Sequence, residues 1–152
     1  MKKVYACFCT DVIHEGHLNI IHEAKKYGRL VAGVLSDEAM IRYNRFPTIS
    51  FEERKQMLEK ISEVDEVVVQ NEVMYGTILE QLKPDYVIHG DNWLNDPMEV
   101  IRDNVIENLN KWGGKLIEVP YTYNENVKNI EAIVRERAAM PEFRRKRLRQ
   151  LL

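Results

Sequence analysis

Five short apolar runs divide this chain, at residues 3–8, 30–35, 66–69, 85–89 and 115–119, and each leads into a stretch with helical spacing. The second, residues 30–35, is continuously apolar, the kind of strand buried on both faces of a parallel sheet. Parallel neighbours need crossover connections, and the intervening helices supply them. The punctuation agrees. Gly28 stops a helix predicted over 17–27, and Ser36-Asp37 opens a short one over 38–43. Ser50 with Glu53 reads as a capping box for a helix to about residue 61, with Phe51, Met57, Leu58 and Ile61 as its apolar stripe. Pro84 ends a helix over 76–82. Asp96-Pro97-Met98-Glu99 starts one that runs to 112 and stops at Gly113-Gly114. Pro120 stops the last strand, and 126–152 is helical with a break at Pro141. The alternation predicts an α/β chain with a doubly wound, five-stranded parallel sheet.

Such a sheet binds ligands beyond the carboxyl ends of its strands. Three loops fall there: residues 9–17, 36–48 and 89–93. The first carries Cys9-Thr10-Asp11-Val12-Ile13-His14-Glu15-Gly16-His17, an H-x-G-H pattern between a strand and a helix. A helix N-terminus offers unpaired N–H groups and a partial positive charge, and so attracts phosphate. Gly16 lets a ligand approach the backbone. His14 and His17, three apart, share one side of the first turn and can stabilise charge on a phosphoryl group. Backbone amides from Phe8, Cys9 and Thr10 and at Gly16 are candidate helpers. Capping of the turn is the plain alternative for the histidines. A zinc site from Cys7, Cys9, His14 and His17 is another, but its spacing matches no zinc pattern.

Arg42, Arg45 and Arg54 lie in or just after the second loop, and guanidinium forks suit phosphate oxygens. Arg54, on a first helical turn, is the strongest of these candidates. In the third loop, His89-Gly90-Asp91-Asn92-Trp93 sets an acid and an amide beside an indole, a combination able to hold and stack a base. The alternative there is a polar turn over a buried tryptophan.

The 152 residues, 45% of them hydrophobic, fit one domain with an ordinary core. Lys plus Arg number 22 against 24 Asp plus Glu, so no overall charge advertises nucleic acid or a membrane surface. Cys7 and Cys9 alternate onto one strand face and cannot readily pair, which fits a reducing cytoplasm. No signal peptide or membrane span is visible.

The H-x-G-H segment resembles the cytidylyltransferase branch of the H-x-G-H nucleotidylyltransferases. Class I aminoacyl-tRNA synthetases and pantetheine-phosphate adenylyltransferase are more distant kin. Lys83-Pro84-Asp85-Tyr86-Val87-Ile88-His89-Gly90-Asp91-Asn92-Trp93 is similar to the family stretch that ends G-D-D-W and meets the cytosine of CTP. Asn92 replaces its second acid. Asp11-Val12-Ile13-His14-Glu15-Gly16-His17-Leu18-Asn19-Ile20-Ile21 and Trp112-Gly113-Gly114-Lys115-Leu116-Ile117-Glu118-Val119-Pro120-Tyr121-Thr122 resemble the phosphonate branch. Its enzymes move CMP onto 2-aminoethylphosphonate, 2-hydroxyethylphosphonate or phosphonoformate. The segment from Met140 to Leu152 resembles the junction at which phosphoenolpyruvate mutase domains begin in fused proteins.

The resemblance implies a Rossmann-like sheet of order 3-2-1-4-5, with residues 1–139 as the nucleotide-binding domain and 140–152 as a basic helix or junction. It implies CTP with Mg²⁺, the metal held mainly by phosphate oxygens and water, and a homodimer. It assigns His14, His17 and Arg54 to catalysis. Phe8, Cys9, Thr10, Asp11, Gly16, Arg45, His89, Gly90, Asp91, Asn92 and Trp93 fall to the nucleotide, with Asp11 orienting the turn or the metal-nucleotide.

Two departures stand out. After the fifth strand the family places a cation and an I-S-T-T run that opens a helix over the triphosphate. Here the run is Tyr121-Thr122-Tyr123-Asn124-Glu125-Asn126-Val127-Lys128, and Asn44 stands where the second loop has a lysine. The alternatives are therefore a glycerol-3-phosphate- or phosphocholine-type cytidylyltransferase, or a degenerate nucleotide-binding or dimerising module serving a mutase.

Overall fold

Each apolar run of the sequence is a strand in the computed structural model, which describes residues 1–8, 12–42, 47–93, 98–139 and 149. In chain order the elements are β1 (Lys3–Phe8), α1 (Glu15–Ala24), β2 (Arg29–Leu35), α2 (Asp37–Arg42), α3 (Phe51–Glu59), β3 (Glu66–Gln70), α4 (Gly76–Leu82) and β4 (Tyr86–Gly90). A 3-10 turn (Asp91–Trp93), α5 (Glu99–Asn110), β5 (Lys115–Val119) and α6 (Glu125–Ala139) complete the order. All paired strands are parallel, in the order β3-β2-β1-β4-β5 expected from the sequence.

Side chains alternate along each central strand, so the sheet has two cores. Val4, Ala6 and Phe8 of β1, Leu30, Ala32 and Val34 of β2 and Ile88 of β4 pack on one face with Ile21 and Ala24 of α1 and Leu58 of α3. Tyr5, Val31 and Val87 face the other way, onto Ile78 and Leu79 of α4 and Ile101, Val105 and Leu109 of α5. Each fully buried aliphatic side chain contributes about 2 kcal/mol. This two-sided burial explains why β1 and β2 read as unbroken apolar runs.

Gly33 sits where no side chain fits. A Cβ placed there would collide with the Tyr5 hydroxyl, which crosses β2 and donates to Gln70 Oε1 at 2.6 Å. Burial first of all holds the Tyr5 phenol far above its ordinary pKa, so it remains a donor.

Three helices begin earlier than their sequence pattern predicts, α2 by a single residue at Asp37. α1 starts at Glu15, two residues ahead of expectation, because His14 is its N-cap. α6 starts at Glu125 because Asn124 Oδ1 accepts from the Val127 N–H at 2.8 Å. The helix-start residues Asp96 and Pro97 lie outside the described residues. On α3, Leu58 is buried and Phe51 packs against the core as expected, as does Ile61 just past the helix end, but the same face also buries Arg54. Among the described residues, no helix is long and apolar enough to cross a membrane.

Candidate active site

β1 lies between β2 and β4, so the carboxyl ends of these three strands are neighbours. Cys9, Thr10 and Asp11 lie outside the described residues. Immediately after them the two histidines close the start of α1 on itself. The Gly16 N–H donates to His14 Nδ1 at 3.0 Å, and the His14 N–H donates to His17 Nδ1 at 3.1 Å. Two of the helix's orphan donors are thus satisfied by imidazoles rather than by the usual hydroxyls or carboxylates. The rings lie 3.9 Å apart between centroids, tilted by 32°. Gly16 is needed for this stack, since a Cβ there would stand 2.9 Å from His14 Cε1.

These bonds fix the protons. Both Nδ1 atoms accept, so each ring presents Nε2 as its donor. His14 is buried, only 5% exposed, and its Nε2 donates to Glu131 Oε1 of α6 at 3.2 Å. The Tyr121 hydroxyl donates to the same carboxylate oxygen. Burial, and then the Glu131 contact, push the Tyr121 phenol above its ordinary pKa. His17 is half-buried, edge-on to Phe8 with centroids 6.0 Å apart, and its Nε2 has no partner among the described residues. Burial, then the neighbouring His14, lower the His17 pKa to about 3, so the ring stays neutral near pH 7. A neutral imidazole N–H beside a helix N-terminus can donate to a phosphoryl oxygen without itself transferring a proton.

At the end of β4 the polar groups are consumed. The Trp93 indole is 0% exposed and stacks on His89 at 3.6 Å, only 4° from parallel. Its Nε1–H donates to Glu118 Oε2 at 2.9 Å, and Arg102 grips the same carboxylate through Nη2 at 2.7 Å and Nε at 3.0 Å. The Arg102 bonds foremost hold the Glu118 carboxyl below the usual glutamate range. His89 donates from Nδ1 to the Gly90 carbonyl at 2.7 Å, yet burial lowers its pKa. Asp91 Oδ1 accepts the Tyr121 N–H at 3.0 Å, and Asn92 is exposed.

With this geometry in view, comparison with known proteins decides the family. Residues 6–149 match the family described as Cytidylyltransferase-like. The chain belongs to that family. This cytidylyltransferase-like chain is 30% identical over 104 residues to FAD synthase of Ferroglobus placidus, covering 64% of this chain and 68% of that one. It is 34% identical over 96 residues to ethanolamine-phosphate cytidylyltransferase of Arabidopsis thaliana. There the match covers 59% of this chain and only 23% of the plant protein. A lipopolysaccharide core biosynthesis protein from Thermoplasma volcanium has the same fold, with a TM-score of 0.66 at 23% identity, over 82% of this chain and 99% of that one.

Three expected roles need correction in this cytidylyltransferase-like chain. Arg54 does not face the crevice. It is 1% exposed, and its Nη1, Nη2 and Nε donate to Leu35 O at 2.7 Å, Asp37 Oδ1 at 2.6 Å and Ile49 O at 3.4 Å. That guanidinium ties the end of β2 to the starts of α2 and α3, because a buried charge must spend its donors on nearby oxygens. Trp93 offers no free ring face to a base, since both its burial and its stack on His89 commit it to the core. Gly16 N–H, expected to meet a ligand, is taken by His14. Arg42, at the end of α2, is exposed. Arg45 and Asn44 lie outside the described residues. Among the described residues no cluster of three His, Cys, Asp or Glu is arranged to hold a metal ion.

Sequence reasoning missed Glu131, Tyr121, Asp37 and Glu118. Nothing local marks Glu131, which is one acid among several on a helix. Asn124 did carry a signal, as a cap residue directly before an acidic first turn.

Proposed function

We propose that this chain transfers CMP from CTP to a phosphonate such as 2-hydroxyethylphosphonate or 2-aminoethylphosphonate, releasing pyrophosphate. The observation that carries the reading is the neutral His17 Nε2–H, unclaimed by the described residues at the mouth of α1 in a nucleotidyltransferase family. An acceptor oxygen attacks the α-phosphorus in line, its bond to the bridging oxygen breaks, and no covalent enzyme intermediate forms. His17, with His14, donates to phosphate oxygens as charge builds on them. By resemblance, backbone amides from Phe8 to Thr10 and the side chain of Asp11 would serve the phosphates; the Gly16 N–H, bonded to His14, would not. His89, Gly90, Asp91 and Asn92 flank the base, where the second Asp91 oxygen and the exposed Asn92 amide are the polar groups able to read it.

The donors at α1 are N–H groups, which fit an anion and not a bare cation. Mg²⁺ would therefore be held by CTP oxygens and water, and it would supply neutralising charge. The phosphonate preference rests on the 11–21 and 112–122 stretches. A homodimer, and 140–152 as a junction to a mutase domain, rest on sequence resemblance alone. Similarity to the plant ethanolamine-phosphate enzyme favours a phosphate monoester as the second reading.

The test is pyrophosphate release with CTP or ATP against 2-hydroxyethylphosphonate, 2-aminoethylphosphonate, phosphonoformate, glycerol-3-phosphate and phosphocholine. Release with CTP and a phosphonate is expected. Release only with the phosphate monoesters selects the second reading, and release only with ATP removes the cytosine assignment. Calorimetric binding of CTP without turnover on any acceptor makes the chain a binding module.

A further inference from the structure

His14 is caught between two acceptor-donor contacts made by the chain itself, and the second is unusual. The carboxylate of Glu131 comes from α6, 117 residues away in sequence, yet it sits on the Nε2 edge of an imidazole at the mouth of α1. An anion at a helix N-terminus, bonded to a neighbouring imidazole, occupies the electrostatic position that a phosphate oxygen would take. Three features hold it there. The Tyr121 hydroxyl donates to the same oxygen, Asn19 Nδ2 donates to Thr122 Oγ1 at 2.9 Å, and Asn124 Nδ2 donates to Glu15 Oε2 at 2.6 Å. The last two stitch the chain before α6 onto α1. Arg135, the cation one turn further on α6, is 4.0 Å from the other Glu131 oxygen and largely exposed, so it neutralises that charge only weakly.

We propose that Glu131 is a positioning residue that acts through His14 as an internal substitute for a nucleotide phosphate. It occupies the His14 Nε2–H while no phosphate is bound, and it must leave before that donor can serve a phosphate. The inference rests on the nucleotidyl-transfer reading given above. It also assigns unequal work to the histidines. His17 Nε2 is available from the start, whereas His14 Nε2 becomes available only by exchange of one anion for another. Two negative groups cannot share the single Nε2–H, so binding of phosphate and seating of Glu131 exclude each other.

Calorimetry with inorganic pyrophosphate, CTP and cytidine on the unmodified chain, Glu131→Gln and Tyr121→Phe tests this. Glu131→Gln keeps the side chain's size and removes its charge. It is expected to tighten pyrophosphate and CTP at least about fivefold while leaving cytidine unchanged. Tyr121→Phe removes one donor that seats the carboxylate and should tighten the same two ligands about twofold or more. It serves as the independent variant if Glu131→Gln does not fold. Unchanged or weaker pyrophosphate binding in the folded variants overturns the proposal, as does equal tightening of cytidine. If pyrophosphate tightens but CTP binds no variant, Glu131 retains its role and the cytidylyl reading fails. If CTP binds the unmodified chain and neither variant tightens, the cytidylyl reading stands and Glu131 loses its role.

Discussion

Two histidine-bearing strand ends lie side by side in this fold, after β1 and after β4, and they spend their polar groups differently. Both present an imidazole whose pKa burial has lowered, His17 at one and His89 at the other. After β1, His17 leaves a donor unclaimed by the described residues. After β4, the indole, the carboxylate of Glu118 and the guanidinium of Arg102 bond to one another, and His89 is stacked under Trp93. Among residue types that look equally chemical in sequence, Trp93, Glu118 and Arg102 thus form a structural clamp, whereas His17 keeps a donor to offer. The division is made by which donors and acceptors are already satisfied, a quantity that depends on contacts across the sheet.

Substitutions should separate the two ends sharply. Trp93→Ala removes a fully buried aromatic and two partners at once, and should cost about 4 kcal/mol of stability by urea denaturation. A loss under about 1 kcal/mol would mean that the β4 end is not a clamp. His17→Ala should do the reverse, lowering kcat/KM for nucleotidyl transfer at least about a hundredfold. Its folding cost should be only about 1 kcal/mol, from the lost cap on the His14 N–H. Normal turnover in that variant would remove the distinction between the ends.

Acid gives the smallest effect. His17 titrates near 6.5 when unfolded and at about 3 in the fold, so between those values the unfolded chain binds the extra proton. Stability therefore falls as pH drops from 6.5 toward 3, by no more than about 1.4 kcal/mol per pH unit from this ring. His17→Asn still offers an acceptor to the cap and should flatten the decline between pH 6.5 and 5, above the range in which ordinary carboxylates titrate. Equal slopes for the two proteins would show that the folded ring takes up a proton readily.

The element types were legible because they depend on local pattern, whereas the sheet order came from the family resemblance, since β1 pairs with a strand about 82 residues on. The β1 and β2 runs are apolar on both faces, and Gly28, Pro84 and Pro120 stand beside the breaks between elements. The H-x-G-H turn is local in the same way, since its cap bonds join residues at most three apart. Arg54 misled because its helix position looked surface-like, while the oxygens that bind it come from Leu35 and Asp37, 19 and 17 residues earlier. Trp93 misled because the acid that takes its N–H is 25 residues later. Glu131 was unreadable for the same cause at a greater span. Long-range pairing decided the roles, and no local pattern encodes it.

The stitching of α1 to the segment before α6 has a bearing on biosynthesis. Residues 15 and 19 leave the ribosome early, but their partners at 124 and 122 are made more than a hundred positions later. A nascent chain can pair β1 with β2 and cap its first helix while the cover over His14 does not yet exist. The occupation of His14 by Glu131 thus arrives as a late event in the life of each molecule, separate from the early formation of the sheet that carries it.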